Sequence, residues 1–304
     1  MNSTEILKEG IIVPLMPFLT ETGEYDFDVV EKQVDYYIKN GTAGIFVLTT
    51  SGQSADFSLN ENKNLASIVK NVTEDKTPLY VGIGRTRKEP EYTKNMLDHT
   101  IKIGANAAVV LCLDLDLEEQ VKHFKEICFN DFPIIAYSLG SKEKQLKRIE
   151  DILTLKPVVG AKITIDTREK ENEEYFKRAI ETRKPTFMGE DVVLYHGLEM
   201  GALGGVNAMA NLIPRELTQL YKEFQGGSKT KALEIQERIN KILLSTIYYG
   251  KDIKGNPIDA GSALKNAMYQ VMGFGAPTMK GNRPRYVEEN QEIIIKSLVE
   301  FGLL

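Results

Sequence analysis

"KNGTAGIFV" at residues 39–47, "KIGANAAVV" at 102–110 and "EMGALGGVN" at 199–207 are three versions of one pattern. In each, a helical stretch stops at a glycine (Gly41, Gly104, Gly201), two or three small residues follow, and a short apolar run begins. A helix that ends in a left-handed glycine cap and feeds a buried strand reads this way. The glycines are 63 and 97 residues apart. Those spacings are close to two and three units of about 32 residues, the size of a strand plus its return helix.

Working outward from these three units gives eight strand candidates, at 10–18, 44–50, 78–84, 107–113, 133–138, 158–164, 185–190 and 204–210. Amphipathic helical patterns fill 26–40, 60–72, 90–103, 118–129, 143–155, 170–182, 192–200 and 214–225; the fifth is short and highly charged. Eight alternating βα units predict an α/β fold of the (β/α)8 TIM-barrel type over residues 1–225. Beyond "QGGSKT", helical stretches at 229–249, 258–273 and 285–303 occur without intervening strands. Residues 226–304 are therefore expected to form a C-terminal three-helix extension.

Composition excludes several classes of function. Among 304 residues, 42% are hydrophobic and 27% charged, the profile of an ordinary globular chain. Thirty-eight Lys and Arg face 43 Asp and Glu, scattered along the chain, so no basic stripe is available for a nucleic-acid backbone. The two cysteines, Cys112 and Cys128, lie in apolar runs without partners at metal-ligand spacing. No basic-then-apolar leader opens the sequence and no apolar run is long enough to span a bilayer. The expectation is a cytoplasmic protein with no membrane or nucleic-acid partner and no metal or nucleotide cofactor.

Against that background, Lys162 in "VVGAKIT" is the sharpest anomaly: a lysine near the C-terminal end of an otherwise apolar strand. Desolvation favours the neutral, nucleophilic amine, as a Schiff-base lysine requires. A structural lysine that snorkels outward or pairs with a carboxylate would look the same. One strand earlier, at the corresponding end, is Tyr137 in "PIIAYS", within about 5 Å if the strands are neighbours. Its phenol can relay protons, although a tyrosine in an apolar strand is more often a core residue with a satisfied hydroxyl. After the second strand, "TTSGQS" (49–54) offers hydroxyls and loop N–H groups suited to a carboxylate, or is ordinary loop. "GIGRTR" at 82–87 lacks the third glycine of a dinucleotide site, and "GGSKT" at 226–230 lacks the phosphate-loop spacing. His99, His123 and His196 are isolated and read as surface or packing residues.

Taken together, "GTAGIFVLTTSGQS", "FPIIAY", "VVGAKIT", "GED" at 189–191 and "GALGGVNAMAN" at 201–211 resemble one family. The chain resembles the pyruvate-dependent class I aldolases of the dihydrodipicolinate synthase and N-acetylneuraminate lyase family, over nearly its whole length. That resemblance implies a (β/α)8 barrel with a C-terminal helical domain, usually a homotetramer built as a dimer of dimers. It implies that Lys162 forms the Schiff base, that Tyr137 relays protons, and that Thr50 and Ser51 hold the substrate carboxylate. Lys162, Tyr137 and Thr50 then form the catalytic set, and Val206 supplies a carbonyl lining the pyruvate site.

Some positions depart from the family pattern. The tyrosine lent to a neighbouring subunit should fall near Leu111, Cys112 and Leu113, where no tyrosine stands. Lys142 replaces an arginine of the synthase branch, and Tyr137-Ser138-Leu139-Gly140 replaces Tyr-Asn-x-Pro. Thr164, the Gly204-Gly205 pair, Gly189 and Asp191 match the lyase branch, with Thr164, Gly189 and Asp191 facing the variable part of the substrate. Val192 and Ala208 stand where that branch has a glutamate and a hydroxyl, which points from sialic acid toward another 2-keto-3-deoxy sugar acid. The alternatives are the synthase reaction of pyruvate with aspartate semialdehyde, a 2-keto-3-deoxy acid dehydratase, and a catalytically silent barrel that binds a 2-oxo acid.

Overall fold

A computed structural model describes residues 6–74, 76–84, 90–111, 117–127, 131–139, 149–248, 259–281 and 288–304. Gly10–Pro14 (β1), Gly44–Val47 (β2), Leu79–Gly84 (β3), Ala107–Leu111 (β4), Ile134–Leu139 (β5), Val158–Thr164 (β6), Thr186–Met188 (β7) and Gly204–Val206 (β8) form one parallel sheet. It closes because β1 pairs with β8 as well as with β2. Around it run Phe27–Lys39 (α1), Leu59–Thr73 (α2), Pro90–Lys102 (α3), Leu117–Ile127 (α4), Ile149–Leu153 (α5), Lys170–Glu181 (α6), Leu194–Glu199 (α7) and Pro214–Gln225 (α8). The fold is a TIM barrel. Lys229–Leu243 (α9), Ala260–Met272 (α10) and Glu288–Glu300 (α11) follow it, with a π-helical turn at Leu244–Tyr248 continuing α9.

The repeated glycines perform the expected task. Gly41, Gly104 and Gly201 have φ of +78°, +69° and +102°, and their N–H groups close the preceding helices onto Ile38, Ile101 and Leu198. A residue with a Cβ would be strained at each of these caps.

Several strands are shorter than the apolar runs that announce them, β1 and β8 by the most. β1 stops at Pro14 instead of 18, and β8 at Val206 instead of 210, where a 3-10 turn Ala208–Asn211 takes over. Asn211, fully buried, is the cause: its side chain donates to Pro14 O and Ala208 O and accepts from Met16 N. One amide thus satisfies backbone groups that would otherwise need strand partners. Gln33 and Tyr37 of α1 extend this buried network, Gln33 donating to Met16 O and Tyr37 bonding to Asn211.

Inside the barrel, Ile6, Leu7, Ile12, Phe46, Tyr80, Val109, Ile135 and Phe187 form a hydrophobic plug. Between that plug and the C-terminal ends of the strands lies the cavity described next.

Candidate active site

Lys162 reaches the barrel interior because β6 carries an extra residue. Ile134 pairs with Val158 but Ile135 pairs with Gly160, a register shift that breaks the simple alternation of the strand. Val159 and Lys162 therefore both face inward, while Ala161 and Ile163 join the outer core. Bulges that re-aim one side chain recur beside active sites. Above the bulge Tyr137 pairs directly with Lys162, and Lys162 with Phe187.

The amine of Lys162 lies 4.3 Å from the Tyr137 ring centroid and 5.6 Å from that of Phe46. Both Lys162 and Tyr137 are buried, at 7% and 6% exposure. They open onto a cavity of about 380 Å³ at the C-terminal face of the barrel. Thr50, Ser51, Val206, Thr164, Gly189 and Asp191 line the same cavity, so all eight residues singled out in the sequence are brought together.

The hydroxyl loop is held in shape from below. Leu48, at φ +61°, drives its carbonyl against Gly82, where any Cβ would overlap it. Thr49 accepts from Gly52 N at 2.8 Å, donates to Leu15 O and shares a hydrogen bond with Ser51. Thr50, exposed, is left facing the cavity. A left-handed non-glycine residue beside a binding loop is strain retained by its surroundings.

The opposite wall comes from β6 and β7. Thr164 Oγ1 is buried without a hydrogen-bond partner among the described residues, and any side chain at position 189 would overlap it. Asp191 accepts from Met209 N at 2.9 Å. Burial raises its carboxyl to about 7, with Glu190 adding to the rise and the Met209 N–H and the Lys162 charge opposing it. Glu190 is also raised, first by burial and then by the charge of Asp166.

Several lining residues have no warning in the sequence pattern. Glu190 sits inside the quoted "GED" without a feature to separate it from its neighbours, and so does Phe46, which touches Lys162 from the plug below, inside its apolar run. Leu243, Ile247, Asp259, Ala260, Gly261 and Leu264 come from the C-terminal helices, so the extension roofs the cavity. The histidines are engaged elsewhere: His99 with Ser67 and Lys63 O, His196 with Thr167, and His123 packed against Phe124. Cys112, Leu113, Cys128, Gly140 and Lys142 lie outside the described residues. Leu111 pairs with Tyr137 at the end of β4. No described helix is long and apolar enough to cross a membrane.

The sequence matches the Dihydrodipicolinate synthetase family over residues 7–273. The chain belongs to that family. Membership makes it a pyruvate aldolase-type lyase in the broad sense. An uncharacterized DapA-like lyase of Pyrococcus horikoshii is 28% identical over 300 residues, covering 95% of this chain and 98% of the relative. A 4-hydroxy-tetrahydrodipicolinate synthase of Caldicellulosiruptor saccharolyticus is 24% identical, covering 98% of both. Among solved structures, the Ruminococcus gnavus sialic acid aldolase superposes with a TM-score of 0.85 at 18% identity, covering 97% of each chain. YagE, a prophage protein of the dihydrodipicolinic acid synthase family from E. coli K12 in complex with pyruvate, gives 0.84 at 20%, covering 98% of this chain and all of that one. A synthase thus stands among the sequence relatives and a sialic acid aldolase among the proteins of the same fold.

Proposed function

We propose that the protein makes or cleaves the C3–C4 bond of a 2-keto-3-deoxy sugar acid through a Schiff base on Lys162. The observation that carries this reading is the register pairing of Lys162 with Tyr137 inside a cavity that also presents Thr50 and Ser51. An amine and a phenol on adjacent strands, with hydroxyls across from them, are the parts such a reaction needs.

The neutral amine of Lys162 adds to the C2 carbonyl, and loss of water from the carbinolamine gives an iminium. Tyr137 carries protons in these steps. In the cleavage direction the C4 hydroxyl gives up its proton, the C3–C4 bond breaks, and its electron pair moves into the iminium to form an enamine. The aldehyde departs; protonation at C3 and hydrolysis then release pyruvate and free the amine. Thr50, Ser51 and the carbonyl of Val206 orient the pyruvate portion. Thr164 and Asp191 face the hydroxyl-bearing portion, with Gly189 making room beside Thr164.

The unpartnered Thr164 hydroxyl and the neighbouring carboxyls favour a polyhydroxylated partner over aspartate semialdehyde, whose carboxylate meets no cation but Lys162 among the described lining residues. A panel of 2-keto-3-deoxy acids, sialic acid, and pyruvate with aspartate semialdehyde tests this. Pyruvate release from a short 2-keto-3-deoxy acid is expected; turnover with the semialdehyde alone would overturn it. A homotetramer and a cytoplasmic setting belong to the same reading, and sedimentation of the purified protein tests the former.

A further inference from the structure

Two buried glutamine amides span the boundary between the barrel and the C-terminal helices. Gln53, 3% exposed and at φ +54°, closes the hydroxyl loop two residues after Ser51. Its Oε1 accepts from Lys280 N at 3.0 Å and its Nε2 donates to Lys280 O at 3.1 Å, as a strand neighbour would. The same Nε2 also donates to Asp56, within the loop. On the other side of the cavity, Gln236 of α9 is 4% exposed. Its Nε2 donates to Asp191 O at 3.0 Å, and its Oε1 accepts from Tyr195 N at 2.8 Å. Asn240, one turn later and bonded to Gln236, donates to Val192 O.

The two contacts have the same design. In each, a glutamine offers one donor and one acceptor to backbone groups of a neighbouring segment, so its loss leaves a backbone N–H and a backbone carbonyl without that partner. In each, the loop that is held lines the cavity. Lys280 adds an ion pair to Glu61 and a cation–ring contact with Phe57, both on the barrel side of the first contact. Lys265 of α10 donates to Thr278 O, fixing the segment that Gln53 grips.

We propose that the C-terminal extension is the positioning element of the site, with Gln53 fastening the carboxylate-binding loop to it and Gln236 fastening the Asp191 loop. Neither glutamine touches the reacting atoms; each acts through the loop it holds. The two effects are separable, because the loops face different parts of the substrate. This proposal rests on the Schiff-base reading for its kinetic consequences and on the hydrogen bonds alone for its structural ones.

The experiment compares Gln53→Ala and Gln236→Ala in the full chain. In Gln53→Ala, the pyruvate concentration that half-saturates borohydride trapping rises about tenfold, while trapping at saturation changes less than threefold. Gln236→Ala shifts pyruvate half-saturation less than threefold but slows turnover of the accepted 2-keto-3-deoxy acid about tenfold. Hydrogen exchange of the ligand-free protein rises at residues 49–56 in the first variant only and at 189–195 in the second only. Should either alanine variant fail to fold, Gln53→Glu and Gln236→Glu replace them. Each keeps the acceptor but, once ionised, cannot donate, so the matching defect grows as pH rises through the carboxyl's titration. If the wild-type chain traps no pyruvate, the Schiff-base reading fails, and the exchange pattern still decides this proposal. Unchanged exchange in both loops, or equal loosening of both by either variant, overturns it.

Discussion

Two lysines are buried among the described residues, one at the mouth of the barrel and one in the extension, and their surroundings divide their chemistry. Lys162 lies between aromatic rings and opens onto a cavity with hydroxyls and carboxyls. Lys265 is 2% exposed and gives a hydrogen bond to the Thr278 carbonyl, and burial pushes it down to about 7. By desolvation alone, Lys265 would pass for the nucleophile. Burial can free an amine of its proton, but only a cavity lets a carbonyl substrate reach it.

The contrast can be broken at either lysine. Lys162→Ala is expected to reduce both the borohydride adduct and turnover to background, whereas Lys265→Met retains the adduct; peptide mapping distinguishes them. Tyr137→Phe keeps the ring beside the amine but removes the proton carrier, and steady-state turnover should fall by about 10²- to 10⁴-fold. Thr50→Ala or Ser51→Ala should weaken pyruvate by roughly tenfold, or about 1.4 kcal/mol, read as half-saturation of trapping.

The remaining effects are on stability, and their signs differ. Asp191 titrates near 7 when folded against 3.8 ordinarily, so the native state holds its proton more tightly. Its contribution falls as pH rises from about 4 to about 7, by at most about 4 kcal/mol, and the cost is full above that window. Lys265, at about 7 against 10.5, does the reverse: its cost is full below 7 and is relieved as pH rises toward 10.5. Urea unfolding across pH should therefore show Asp191→Asn gaining most over wild type at pH 8. Lys265→Met should compare better with wild type at pH 6 than at pH 9, and a gain independent of pH would contradict this assignment.

How much could be read beforehand follows the same division. The barrel repeats a local unit, so Gly41, Gly104 and Gly201 announced helix ends that local hydrogen bonds then made. The apolar run 158–164 matches β6 to the residue. Its phase does not: alternation from Val159 would have sent Lys162 outward, and the bulge at Gly160 reverses that. The end of β1 depended on Asn211, nearly 200 residues from Pro14, which no window on the sequence contains.

In the extension, the helices were legible but their roles were not. Asp259 and Leu264 meet the cavity only because α10 packs over the barrel mouth. One lysine in a helix looks ordinary until its burial is known, as Lys265 illustrates. Gln53 and Gln236 are unremarkable in sequence, since their meaning lies entirely in the backbone groups they bridge.

The central claim is that Lys162 forms the Schiff base. Incubation with pyruvate, reduction with borohydride and mass spectrometry of the digested protein tests it most directly. The account predicts one reduced pyruvate adduct, on the peptide bearing Lys162. A saturating concentration of pyruvate that leaves Lys162 unmodified, or an adduct carried by Lys265 instead, would contradict it.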